Sequence, residues 1–166
     1  MKLNLGCGDK KIAGYINVDI CGSPDQKCDL TQFPWPFADN SVEEVFSEHF
    51  LEHVLDYEST ILEMHRVLKK GGILHFKVPY FKSMAYPWHL HKYAFSSVTC
   101  RLLCEQRPYQ FNGRKLFEEI SLRFNYLDFL RPSLRRVFSW LANRFPGKWE
   151  YLGLPIDEIE FIARKV

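Results

Sequence analysis

The chain has 166 residues, 46% of them apolar and 25% charged, with nine Gly and nine Pro, a composition that suits one globular domain and excludes disordered or collagen-like chains. No apolar run reaches the roughly 18 to 20 residues of a membrane-spanning helix, the opening Met-Lys-Leu-Asn-Leu-Gly lacks a leader's apolar stretch, and five cysteines is an odd count, so a reducing cytoplasm is expected. The net charge of +2 hides a split: residues 1–80 carry 8 Lys/Arg against 12 Asp/Glu, and residues 81–166 carry 14 against 8. A basic second half suits either an anionic partner or a solvated face.

In chain order, Lys2–Leu5 is a short apolar strand stopped by Gly6-Cys7-Gly8. Tyr15–Ile20 is a second strand ending in an acid, and Asp25–Leu30 holds a very short third. The prolines of Phe33–Asn40 demand a loop. Val42–Glu48 reads as the fourth strand. Leu51, Val54, Leu55, Ile61, Leu62, His65 and Leu68 recur at helical steps, so Leu51–Leu68 reads as a helix. Gly71-Gly72 would end it, with Lys69 and Lys70 at the negative end of its dipole. Ile73–Val78 is a fifth strand closed by Pro79. Ser83–Tyr93 fits no period and reads as a loop or lid, and Ser96–Cys104 reads as a helix capped by Ser96 or Ser97. Ser121–Phe129 and Asp157–Lys165 alternate as closing strands. Strands alternating with crossovers argue for a parallel sheet in an α/β layer fold.

The chemistry concentrates in Leu3–Asp19, LNLGCGDKKIAGYINVD. Gly6 and Gly8 let the backbone turn sharply and approach a ligand. An acid closing the next strand can accept both ribose hydroxyls of a nucleoside, and both groups fall at the carboxyl ends of parallel strands. Lys11 stands where a dinucleotide fingerprint has its third glycine, and Asp19 follows Gly8 by 11 residues rather than about 20. A crossover that short holds a turn or two of helix at most. That favours a nucleoside without phosphates over NAD or FAD.

Four ordered stretches, LNLGCG at Leu3–Gly8, NVDI at Asn17–Ile20, Cys28–Val54 and Ile61–Pro79, resemble the class I S-adenosylmethionine-dependent methyltransferases of the type 11 domain. The resemblance implies a Rossmann-like three-layer α/β sandwich whose seven-stranded sheet is mostly parallel with an antiparallel last strand. The resemblance covers about residues 1–80 and implies that this half binds S-adenosylmethionine; with the length of one domain over 1–166, residues 81–166 are then expected to supply the lid, the acceptor side and the closing strands. By the same resemblance Leu5, Gly6, Cys7 and Gly8 hold the methionine portion and Asp19 the ribose. Ile20 and Leu30 flank the adenine, Asp29 accepts from its amine, and His49 lies near the methyl group. Methyl transfer from a sulfonium needs orientation and a closed site more than a catalytic triad.

On the acceptor side, Tyr80, Tyr86, His89, His91 and Tyr93 could line a pocket, with a histidine as general base, or form an aromatic lid. His49 and His53, Cys100 and Cys104, and His89-x-His91 match neither a zinc-protease nor a zinc-knuckle spacing, so no metal site is expected. His65 reads as a hydrogen-bonded, half-buried residue of an apolar helix face. Leu130–Phe145 has an apolar stripe among Arg131, Arg135, Arg136 and Arg144. It reads first as a helix docked on the sheet and second as a peripheral membrane contact. No RNA motif or recognition helix argues for nucleic acid. The expected function is methylation of a small or medium acceptor, anionic or lipid-linked. The alternatives are a non-catalytic nucleoside-binding module that uses its basic half for a partner, and an NAD-type oxidoreductase.

Overall fold

The computed structural model describes residues 1–83, 89–125, 132–151 and 156–166. In chain order the elements are β1 (Lys2–Leu5), β2 (Ile16–Asp19), β3 (Gln26–Lys27), β4 (Val42–Glu48), α1 (Tyr57–Val67) and β5 (Leu68–Pro79), then α2 (Ser97–Arg101), β6 (Phe117–Asn125), α3 (Pro132–Arg144), α4 (Pro146–Tyr151) and β7 (Glu158–Lys165). Short 3-10 turns at Leu102–Cys104 and Phe111–Gly113 join α2 to β6. Tyr86, the end of Ser121–Phe129, and Leu130 and Arg131 lie outside the described residues.

All seven strands form one sheet in the order β3-β2-β1-β4-β5-β7-β6. β1 runs parallel to β2 and β4, and β4 parallel to β5. β7 is antiparallel to both its neighbours, β5 and β6. Strand order reverses between β1 and β4, and the carboxyl ends of these strands form the crevice where open α/β sheets bind ligands.

Alternation sets the two faces of this sheet. Leu3, Leu5, Val18, Val45, Leu74, Phe76, Phe161 and Ala163 are fully buried and share the core with Ile61, Met64 and Val67 of α1. The opposite face is polar and half-buried: Lys2 pairs with Glu44 at 2.8 Å, His75 with Glu160 at 2.9 Å, and Phe46 packs edge-on against His75. No helix precedes α1. The first crossover is a loop, braced by a polar network instead of a helix. Asn4 Nδ2 donates to Asn17 Oδ1 at 2.8 Å and to the Lys10 carbonyl at 3.0 Å, and Ile12 N donates to the same Asn17 oxygen at 2.8 Å. Asn17 Nδ2 in turn donates to Asp25, which Lys11 also reaches at 2.7 Å. These hydrogen bonds from Lys11 and Asn17 hold the Asp25 carboxyl down at about 2.

The first helix is shorter than its apolar spacing predicts. It starts after Asp56, whose side chain caps it by accepting from Ser59 N at 3.0 Å. Leu51 and Val54 are buried from a turn, closed by His53 N on the Phe50 carbonyl, while Leu55 is exposed. Burial without helix produced the false period. Gly71-Gly72 is also not the helix stop: α1 ends at Val67, and both glycines lie inside β5 where its pairing with β4 shifts register. Lys69 pairs with Glu43 instead of the helix end. The cation that serves the α1 carboxyl terminus is Lys165 of β7, buried and donating to the carbonyls of His65 and Leu68 at 2.7 Å each and to Asn40 Oδ1 at 2.8 Å. Ser96, one of the two expected caps, starts α2 through a capping box with Thr99, and the α-helix ends at Arg101, short of the expected Cys104, where a 3-10 turn continues it.

Helix α3 lies along the outer edge of the sheet. Asn143 Oδ1 accepts from Phe124 N at 2.8 Å and its Nδ2 donates to Phe124 O at 3.1 Å. One side chain thus satisfies edge groups of β6 as a further strand would. Ala142 is buried, and Phe138 and Leu141 pack against the core, so the helix is docked. Its apolar arc is wider than the body covers, and Leu134, Val137 and Trp140 stay about half exposed or more. No helix among the described residues is long and apolar enough to cross a membrane.

Candidate cofactor and acceptor site

The glycine turn after β1 is fixed from β2. Gly6 N and Cys7 N both donate to the Val18 carbonyl, at 2.9 and 3.3 Å. Asp19 Oδ2 accepts from Gly8 N at 2.7 Å, and its Oδ1 accepts from Cys21 N at 2.9 Å. Gly6 and Gly8 both have positive φ, +66° and +50°, a region costly for residues with a Cβ. At Gly6 an added Cβ would fall 2.5 Å from the Phe50 ring, whereas at Gly8 it would meet open space.

That space is a cavity of about 350 Å³ lined by Gly6, Cys7, Gly8, Asp19, Glu48 and His49, with Asn4 and Asp9–Ile12 completing its wall. It opens at the β1/β4 switch point. The carboxylates of Asp9, Asp19 and Glu48 share its rim with Lys10 and Lys11, so the cavity offers acceptors to a ligand's hydroxyl donors without a net acidic field. Phe50, resting on Gly6, also lines a smaller cavity of about 100 Å³ with Leu30, Thr31, Phe33 and His53.

His49 follows β4 in a left-handed conformation, φ +53°, which a non-glycine residue adopts only when its surroundings enforce it. Its Nδ1 lies 3.2 Å from Glu52 Oε1 and its Nε2 3.3 Å from Glu158 Oε2. The two hydrogen bonds, Glu158's first, raise its pKa to about 9, so the ring is an imidazolium at neutral pH. Burial would push Glu158 upward, but His49 and Asn125 bonding to it hold its carboxyl below the usual range. Glu52 and Glu158 carry no signal in the sequence. Glu158 lies 109 positions from His49, and only the insertion of β7 beside β5 brings it to the crevice.

Of the residues expected around a cofactor, Gly6, Cys7, Gly8, Asp19 and His49 share the larger cavity, and Leu5 is wholly buried at the end of β1. Leu30 faces the smaller cavity. Ile20 is 57% exposed beside Asp19. Asp29 turns back on its own loop, its Oδ1 accepting from Thr31 N at 2.9 Å and Thr31 Oγ1 at 2.7 Å. Tyr80, expected on the acceptor side, is a core residue, packed against Phe81 and Phe124, and burial lifts its phenol to about 12. Its hydroxyl therefore faces the interior. Tyr93 is also structural, with its OH donating to Leu55 O at 3.1 Å. His89 is exposed; His91 lies ring to ring with His53, centroids 4.8 Å apart. Phe50 was missed, although it sits in the same HFLEH run as His49.

An open sheet reversing at β1/β4, a glycine turn after its first strand and an acid after its second define a nucleoside-binding α/β protein. Residues 3–76 match the model of the methyltransferase domain family. Across 99% of its length the chain superposes on 85% of a SAM-dependent methyltransferase from Archaeoglobus fulgidus, with TM-score 0.65 and 19% identity. An S-adenosylmethionine-dependent methyltransferase from Mesorhizobium loti gives TM-score 0.62 at 14% identity, covering 98% of this chain and 89% of that one. Phosphoethanolamine N-methyltransferase 2 from Haemonchus contortus, solved with S-adenosyl-L-methionine, gives 0.59 at 14% identity, covering 99% of this chain and 48% of that one. No protein of curated function matches the sequence. Over residues 3–76, somewhat under half of its length, the chain is similar to the methyltransferase domain family, and S-adenosylmethionine is the cofactor named for the structures it resembles. The open backbone at Gly8 and the Asp19 carboxylate beside it fit that cofactor.

Proposed function

We propose that the protein transfers the methyl group of S-adenosylmethionine to a small or medium acceptor that enters beside His49. The observation that carries this reading is one cavity shared by the glycine turn, Asp19 and His49. The turn would hold the methionine portion, Asp19 the ribose, and Leu30, Ile20 and Asp29 the adenine side. The cofactor supplies an activated methyl group, so the chain's work is orientation and exclusion of water. His49, bonded on both ring nitrogens, is a fixed donor at the cavity wall and holds its proton. An anionic acceptor suits the basic second half, whereas the charge of the His49 imidazolium is already balanced by Glu52 and Glu158. The test is calorimetric titration with S-adenosylhomocysteine beside NAD, followed by a methyl-transfer screen over small hydroxylated, amino and phosphorylated acceptors. Binding of the first ligand alone supports the reading. Binding of NAD instead would overturn it in favour of the oxidoreductase alternative.

A second part of the proposal concerns α3. Its uncovered Leu134, Val137 and Trp140 lie on a helix that also carries Arg135, Arg136 and Arg144, which suits shallow contact with an anionic lipid surface and a lipid-linked acceptor.

A further inference from the structure

We infer that Glu52, His53 and His91 form a binding site for a divalent transition-metal ion of the zinc type, beside the cofactor cavity. One ligand atom from each lies within 4.8 Å of the other two. Around a bound ion, with ligand bonds of about 2.0 to 2.2 Å, such atoms stand closer, and small rotations of half-exposed imidazoles suffice to close the gap.

Three further observations point to an ion here. Glu52 is 1% exposed, and while its Oε1 accepts from His49, its Oε2 has no hydrogen-bond partner among the described residues. A buried carboxylate oxygen left without a donor is costly, and a cation satisfies it. His53 is set up as a ligand: its Nδ1 lies 3.3 Å from the Leu90 carbonyl. A carbonyl only accepts, so Nδ1 carries the proton of that bond, and Nε2 faces Glu52, 3.9 Å from Oε1. Lys92 N donates to the Glu52 carbonyl at 2.7 Å. That bond and the Leu90 contact flank His91 and pin its segment over the other two ligands.

Two imidazoles and one carboxylate select zinc, iron, cobalt or nickel ions over magnesium and calcium, which prefer all-oxygen shells. Three protein ligands leave a coordination position open, and His53 also lines the smaller cavity, through which a water or an acceptor oxygen can reach it. The neighbouring group of Glu48, His49 and Glu158 is a poorer site, because both nitrogens of His49 already donate to carboxylates and leave no lone pair.

The test uses the full chain, stripped with chelator and without cofactor, titrated with zinc chloride by calorimetry and with cobalt chloride by visible absorption. One equivalent of zinc per chain is expected, with a cobalt spectrum of low coordination number. His91→Ala and Glu52→Gln should each weaken zinc binding at least tenfold. Should buried Glu52→Gln fail to fold, His91→Ala, at a half-exposed position, carries the test alone, with a thermal melt to verify folding. Absence of binding in the native chain overturns the site, as does undiminished binding in His91→Ala. Loss in His49→Gln with retention in His91→Ala would move the ion to the other group and overturn it too. Titration of the same samples with S-adenosylhomocysteine is independent, so failure of the metal site and failure of the methyltransferase reading are distinguishable.

Discussion

Asp19 Oδ2 accepts the Gly8 N–H at 2.7 Å, so the acid that ends the second strand also holds the glycine turn that ends the first. Two strand ends that together define a nucleoside pocket are thereby locked to each other before any ligand arrives. Replacing Asp19 frees the turn and removes the carboxylate proposed to hold the ribose. Asp19→Ala should weaken S-adenosylhomocysteine binding by about 1.5 to 3 kcal/mol, the range for hydrogen bonds to charged groups. Asp19→Asn, which keeps one acceptor oxygen, should lose less. Calorimetry on folded variants measures both, and unchanged affinity in Asp19→Ala would remove the residue from the site.

Gly6 tests the turn from the other side. Gly6→Ala places a Cβ against the Phe50 ring and demands φ +66°, a conformation costing about 1 to 2 kcal/mol for an L-residue. Cofactor affinity should fall. The double variant Gly6→Ala Phe50→Ala should recover only part of the loss, since it relieves the collision and leaves the backbone strain. Full recovery would mean that the positive φ is unimportant.

Lys165 is predicted to matter for stability despite its place on the last strand. Lys165→Met leaves the His65 carbonyl of α1, the Leu68 carbonyl just after it and the Asn40 oxygen without their donor, at a cost of about 1 to 3 kcal/mol. Urea denaturation should show a lower midpoint with an unchanged slope. Equal midpoints would mean that water replaces the ammonium at no cost.

His65 gives the protein an acid-sensitive element. Burial, reinforced by the nearby Lys165 and Arg114 charges, pushes its pKa down to about 4, against about 6.5 in an unfolded chain. The unfolded chain therefore binds a proton that the folded one refuses. This residue's contribution is whole above about pH 6.5 and is lost as pH falls from there to about 4. The loss amounts to about 2 to 3 kcal/mol at one pKa unit per 1.36 kcal/mol. Urea midpoints at pH 4.5 and pH 7 should differ less in His65→Gln than in the native chain.

Much of the sheet could be read from alternation and glycine placement: the fourth strand, Val42–Glu48, falls within the bounds the residues suggest. Local pattern misled where burial came without regular structure. Leu51 and Val54 are apolar because a turn presses them into the core, and spacing alone does not distinguish that from a helix. That Gly6, Gly8 and Asp19 come together at one crevice was legible because they are neighbours within two strand ends. The surroundings of His49 were not, since Glu158 comes from a strand inserted late in the chain. Tyr80 shows the converse error: a tyrosine following a strand at the ligand edge points inward and packs.

For α3 the expected outcome is sedimentation with vesicles rich in anionic lipid and none with neutral ones, with Trp140→Ser reducing the bound fraction. Equal binding to both vesicle types, or none, would leave the exposed stripe without a lipid role.

The position of β7 dictates when this domain can become complete. It sits between β5 and β6 and is the only described strand paired with β6, yet it follows both in the chain. During synthesis β6 emerges with no partner to join, β5 shows a bare edge, and the end of α1 waits for its lysine. Translation therefore passes through a stage with two open strand edges, the state most exposed to wrong pairing with other chains. Closure comes as one late step, when a single strand fills the gap, brings Glu158 to His49 and ties down the first helix.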